Sequence, residues 1–152
     1  MRLNAALIKK RCEEIADSLK RLEKIKAADK DRFLKDRDLQ DIASYRLLIA
    51  IEAALSLCYH VSAKELQKVP GEYAECFLIL AEAKIIPRDL SEELKKMTRF
   101  RNMLVHMYWK IDYEIVFDIL QENLDNLRQF SEAIAALLKT EDKEDKQVTD
   151  DQ

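Results

Sequence analysis

One glycine and two prolines are all that punctuate 152 residues, and this shortage of chain breakers constrains the fold more than any other feature. Tight turns draw on glycine for positive φ and on proline for a fixed φ. A chain so poor in both, and rich in Leu, Ala, Glu and Lys, is expected to form long helices joined by few turns. The expected class is all-α. The length suits one domain with a sizeable core and is too short for two.

The spacing of apolar residues predicts five helices. The first spans about Leu3 to Ile25, with Leu7, Ile8, Ile15, Leu19, Leu22 and Ile25 on one stripe. The second spans about Asp38 to Leu66 and contains "YRLLIAIEAALSLCYHV", apolar nearly all round and therefore the expected centre of the bundle. "KVPGEY" breaks the chain, through Pro70 and a Gly71 free to take turn dihedrals. A short third helix, about Tyr73 to Ala83, ends before Pro87. The fourth is expected to start at an Asp89 or Ser91 cap and run to about His106 or Tyr108. Asp112 is the expected N-cap of the fifth, with Ile111 and Val116 as a hydrophobic staple, and that helix should reach about Leu138. Residues 1 to 139 form the expected helical domain. Residues 140 to 152 are expected to stay unordered, because "TEDKEDKQVTDDQ" has too little apolar surface to bury.

The formal net charge is −3, but the tail holds six acids and two lysines, so the body carries +1. A phosphate or RNA site must then be a local cluster, not a global field. Cys12, Cys58 and Cys76 lack CxxC spacing, which argues for free thiols over a zinc site or a disulfide framework. No apolar run is read as long enough to span a bilayer, and the N-terminal segment becomes charged too early for a signal peptide. The expectation is a cytoplasmic protein.

The stretch "RFRNMLVHMYW", residues 99 to 109, packs arginine, asparagine, histidine and tyrosine into the closing turns of an otherwise ordinary amphipathic helix. On a helix, Lys95, Arg99, Asn102 and His106 fall within about 60° of one another and form one polar stripe. Read alone, this stripe is simply the solvated face of a helix. Arg101 lies about 140° from His106, on an otherwise apolar arc where an unpaired charge would cost several kcal/mol, roughly. Glu52, the only charge between Leu47 and Cys58, is the candidate partner; the alternative leaves Glu52 partly exposed beside Arg46. His60 reads as a satisfied histidine near a helix end. Trp109 and Tyr113 are expected to be buried against the bundle, with base stacking as the alternative.

Arg101, four residues and then His106 match the R-x4-H motif, and "RNMLVHMYWKID" closely resembles the HepT group of HEPN-domain ribonucleases. "LLIAIEAALSL" and "FLILAEAKIIPRDLSEELKKMTRFRN" extend the resemblance over most of the chain, although Ser56 and Leu57 stand where many relatives carry an acid. The resemblance implies a four- to five-helix HEPN-type bundle acting as a homodimer, without metal or cofactor. It implies an endoribonuclease toxin in which the RNA 2′-OH attacks the adjacent phosphorus. Arg101 would stabilise transition-state charge, and His106, a residue type that titrates near neutrality, would transfer protons. Asn102 would orient His106 or bind substrate, and Lys95 and Arg99 would bind RNA. A two-fold axis would let two copies share a site that Arg101 and His106 of one helix do not easily form alone. The implied partner is an MNT-type nucleotidyltransferase antitoxin that modifies Tyr108 with AMP. The rival reading is a non-catalytic helical module that docks such a nucleotidyltransferase and helps it hold substrate; a pure scaffold would need none of the Arg101, Asn102 and His106 set.

Overall fold

The computed structural model describes residues 2 to 150. Among the described residues the fold is all-helical, in the order α1 (Ala5–Lys26), α2 (Lys30–Lys35), α3 (Arg37–Glu65), α4 (Tyr73–Glu82), α5 (Arg88–His106), a 3-10 turn (Tyr108–Lys110), α6 (Tyr113–Glu122) and α7 (Leu124–Asp150).

Helix α3 is the axis of the bundle: every other α-helix packs on it, α1 most extensively. Its sequence explains why. Ala43, Ala50, Ala53 and Ala54 are buried on α3 beside Leu47, Ile51 and Leu57, and small side chains let neighbouring backbones approach from several sides. Contrary to the expectation above, α3 is long and apolar enough to cross a membrane by length and composition, and half of that window lies inside the bundle. Phe77 of α4 meets Phe130 of α7 edge to face at 5.4 Å, both essentially without solvent contact. Each such buried side chain contributes about 1.5–3 kcal/mol through the apolar surface it removes from water.

The boundaries of α1, α3 and α4 follow the sequence pattern, and at α1 and α3 the caps show why. Asn4 accepts from the Leu7 amide, and Asp36 accepts from the Leu39 amide. Asp112 caps α6 by accepting from the Glu114 amide. At α5 the expected caps are displaced. Pro87 occupies the N-cap, Asp89 accepts from Leu90 N at 2.9 Å, and Ser91 Oγ donates back to the Arg88 carbonyl at 2.6 Å. The turn after α3 also differs: the left-handed residue is Gln67, at φ 50°, and no glycine has positive φ. Lys68 secures that turn by bonding to Ser62 through both its N–H and its carbonyl.

Three further expectations are corrected. The connection before α3 contains a helix of its own, α2, capped by Asp29 and anchored by a fully buried Phe33 whose ring lies 5.8 Å from Phe117. The expected fifth helix is two helices, α6 and α7, divided at Asn123. The Asn123 amide donates to Glu93 at 3.0 Å and to Asn126 at 2.9 Å, contacts that hold the joint. The acidic tail is also helical as far as Asp150, its last two positions lying outside the described residues. The physical reason is Glu141, buried among the N-terminal residues, whose carboxylate accepts from the backbone N–H groups of Arg2 and Leu3. Beyond Asp142 every described residue is exposed.

The cysteines are free, Cys58 and Cys76 buried and Cys12 half-buried. Burial, reinforced by the hydrogen bond to Cys76, pushes the Cys58 thiol far above the ordinary range, so it behaves as a small apolar side chain. His60 Nε2 accepts from Asn4 N at 2.9 Å, tying α3 to the cap of α1.

Burial, with the nearby Lys64 charge, holds the His60 imidazole below its usual 6.5. The neutral ring is the acceptor, so its stabilisation is complete above about pH 6.5 and is lost as pH falls through the depressed native value. Chemical denaturation of wild type and His60→Gln between pH 5 and 7.5 is expected to show a steeper acid-side loss in wild type. Parallel curves would remove His60 from this role.

Candidate active site

Helix α5 sorts its residues by face. Leu90, Leu94, Met97, Phe100 and Leu104 are buried against the bundle, while Lys95, Arg99, Asn102 and His106 are exposed. The exposed face forms one wall of a cleft of about 870 Å³. The opposite wall comes from Tyr59 near the end of α3 and from Gly71, Glu72, Tyr73 and Ala74 at the start of α4.

All five residues expected to act on RNA line this cleft: Lys95, Arg99, Arg101, Asn102 and His106. This corrects the idea that Arg101 and His106 of one helix do not easily reach the same pocket. Thr98 fills the arc between them on α5, and the cleft wraps around that arc. The separation of about 140° holds at the backbone; the long arginine side chain closes it.

Arg101 is held from three sides. Its Nε donates to Glu52 Oε1, its Nη1 donates to Asn102 Oδ1 at 3.1 Å, and its guanidinium carbon sits 4.9 Å from the Tyr73 ring centroid. Tyr73 is in turn braced edge to face by Tyr59, with centroids 5.8 Å apart. Only 13% of the Arg101 side chain is exposed, against 45% for Glu52. The pairing expected from Glu52 being the lone charge on its stretch of α3 is therefore present. Arg46 instead faces Asp17 at 3.6 Å. A guanidinium fixed by a carboxylate, an amide and a ring face has its remaining donors pre-aimed, as phosphate recognition requires.

Asn102 Oδ1 is engaged with Arg101, so in this structure the amide orients the arginine and not His106. His106 is exposed at the final residue of α5. Ser56 accepts from Arg11 Nε at 3.1 Å, and Arg11 also pairs with Glu14. His60 lies outside the cleft lining, bonded to Asn4.

The sequence reading missed the far wall. Glu72 and Tyr73 were visible only as a chain break followed by a helix start, and a residue's place across a cleft has no local signature. One signal was present, since a semi-buried arginine needs a second contact and an aromatic face supplies one. Tyr108 does not line the cleft. It is 70% exposed on the 3-10 turn, with its ring 5.3 Å from that of Trp109 at 88°. Trp109 is also 70% exposed, against the expectation of burial, whereas Tyr113 is half-buried. The Met107 backbone, at φ −132° and ψ 39°, breaks from α5 into a turn that buries none of its residues.

The ribonuclease HepT-like family model matches residues 15–134. The chain is 30% identical to the mRNA nuclease HepT of Shewanella oneidensis over 118 residues, which cover 78% of this chain and 88% of that one. It is 32% identical to a putative RNase of Archaeoglobus fulgidus over 95 residues, covering 62% of this chain and 71% of that one. Among solved structures, the tri-AMPylated HEPN toxin of Shewanella oneidensis in complex with its MNT antitoxin superposes with a TM-score of 0.79 at 29% identity, covering 88% of this chain and 99% of the toxin. The helical order, the R-x4-H stretch of α5 and a family match across most of the chain lead to one assignment: this protein belongs to the HepT-like ribonuclease family.

Proposed function

We propose that this chain is a metal-independent endoribonuclease toxin whose catalytic groups are Arg101, Asn102 and His106, with Lys95 and Arg99 receiving the RNA backbone. The observation that carries the proposal is the gathering of these five residues on one cleft, with the Arg101 guanidinium locked in place. The lining holds three permanent cations and one carboxylate, Glu72. That donor set attracts a phosphodiester and disfavours a divalent cation.

In the proposed reaction the ribose 2′ oxygen forms a bond to phosphorus and the bond from phosphorus to the 5′ oxygen breaks, leaving a 2′,3′-cyclic phosphate and a 5′-hydroxyl. The 2′-OH proton goes to an imidazole, and the leaving 5′ oxygen takes a proton from a second group. Negative charge on the non-bridging oxygens is met by the fixed donors of Arg101. The cleft of one chain contains a single histidine. The second proton-transfer group is therefore assigned to His106 of another copy, in a homodimer that joins α5 and part of α6 across a two-fold axis. Ile115, 44% exposed on α6, is apolar surface available for that contact.

Control falls to an MNT-type nucleotidyltransferase partner that adenylylates Tyr108. Exposure of Tyr108 supports this reading, because its hydroxyl is open to another enzyme while lying two residues from His106. An AMP group there adds bulk and a negative phosphodiester beside the cationic cleft, opposing RNA by charge and by volume.

Arg101→Ala and His106→Ala are each expected to lower the rate of RNA cleavage by at least about a hundredfold, with helicity by circular dichroism and the dimer mass by light scattering unchanged. Near-full activity of His106→Ala would refute the catalytic assignment. Loss of helicity in Arg101→Ala would instead make the Glu52 pair a structural element.

Coexpression with an MNT-type nucleotidyltransferase is expected to add AMP-sized increments to the intact mass of wild type, at least one of which is missing in Tyr108→Phe. Identical increments in both proteins would take Tyr108 out of the scheme.

A further inference from the structure

Trp109 is the only tryptophan in the chain, and it is left in water. A residue type that normally contributes about 150–250 Å² of buried surface is here 70% exposed, on a turn with no buried residue. Its ring partner is Tyr108, set edge to face at 5.3 Å and 88°. That arrangement orients the indole while leaving at least one of its faces uncovered. Three peptide units separate it from His106, so the two Cα atoms lie within about 11 Å of each other. Lys110 follows directly and is exposed, and the cleft beyond His106 carries Lys95, Arg99 and Arg101.

An open aromatic face a few residues from a cationic cleft suits single-stranded nucleic acid, in which cations follow the phosphates and a ring stacks on a base. The apolar patch on this turn is small, amounting to Met107, Tyr108 and Trp109 before Lys110 and Asp112 interrupt it. A stable protein interface buries about 800 Å² on each partner, which a three-residue turn bounded by charges does not supply alone. A nucleobase needs only one ring face.

We infer that Trp109 is a stacking platform for one base of the single-stranded RNA substrate, holding the nucleotide next to the scissile linkage while Lys110 meets its phosphate. This rests on the ribonuclease reading of the cleft. Any base offers a π face, so the platform adds affinity and register without dictating sequence. It also gives the position of Tyr108 a second consequence, since an adenosine attached to its hydroxyl lies within reach of the same indole and competes with the substrate base.

As the sole tryptophan, Trp109 reports on its own contacts. The full-length His106→Ala protein, which is expected to leave RNA intact, is titrated with an eight-nucleotide oligoadenylate and with an abasic ribose-phosphate oligomer of equal length. Quenching of tryptophan emission by the oligoadenylate and not by the abasic strand is the expected result. In otherwise wild-type protein, Trp109→Ala is expected to raise KM for RNA about tenfold, with a smaller change in kcat, while Trp109→Phe stays within about threefold of wild type. Absence of quenching, equal quenching by both strands, an unchanged KM in Trp109→Ala, or a shift of that variant from dimer to monomer would each overturn the platform. Base-dependent quenching in His106→Ala together with no RNA cleavage by the wild-type protein would support the platform and refute the ribonuclease reading.

Discussion

The site depends on how one half-buried cation is compensated. Arg101 sits on the arc of α5 that turns toward the bundle, where an unpaired guanidinium would be strongly unfavourable. Three elements meet that demand: Glu52 from α3, Asn102 from α5 and the Tyr73 ring from α4. The requirement that stabilises the charge also joins α3, α4 and α5 around the cleft, so the far wall at Gly71 to Ala74 is held by a residue that itself lines the cleft. Substitution of Glu52 would remove a charge partner and loosen a wall together. This coupling explains how a chain with one glycine can build a cleft: side chains, not special backbone conformations, shape it.

Several of these features were legible in the sequence, each for an identifiable reason. The all-round apolar run of residues 45 to 61 marked the central helix, because only a helix packed on many sides tolerates such a face. Glu52 was legible as the partner of Arg101 because it is the sole charge on that stretch and a charge inside a core needs an opposite. The polar stripe of α5 followed from helical periodicity, and all of its members reach the cleft. What stayed hidden depended on tertiary contacts. The six-residue α2 is stabilised by burying Phe33, not by its own propensity. The break at Asn123 uses side-chain bonds to Glu93, thirty residues away. The order of the acidic tail begins at Glu141, whose carboxylate reaches the amides of Arg2 and Leu3 at the other end of the chain. Trp109 was expected in the core because tryptophan usually is, yet the chain turns outward at Met107.

The cationic cleft residues and the exposed aromatic pair occupy neighbouring stretches of the chain. Lys95, Arg99 and Arg101 present positive charge on one cleft of a body that is otherwise near neutral, so the attraction it exerts on an anion is local and screened by salt. Tyr108 and Trp109 lie outside the cleft lining, on a turn exposed to solvent. Membership of the HepT-like family and likeness to a HEPN toxin solved with its MNT antitoxin place this geometry beside proteins in which a toxin and a nucleotidyltransferase work as a pair.

The central claim is that imidazole and guanidinium groups drive transesterification of RNA with no metal ion. It is tested most directly by incubating the purified full-length protein with a defined RNA in excess EDTA and identifying the new termini by mass spectrometry. The account predicts cleavage under these conditions, with 2′,3′-cyclic phosphate and 5′-hydroxyl ends. Cleavage that appears only on addition of a divalent cation, leaving 3′-hydroxyl and 5′-phosphate ends, would contradict it.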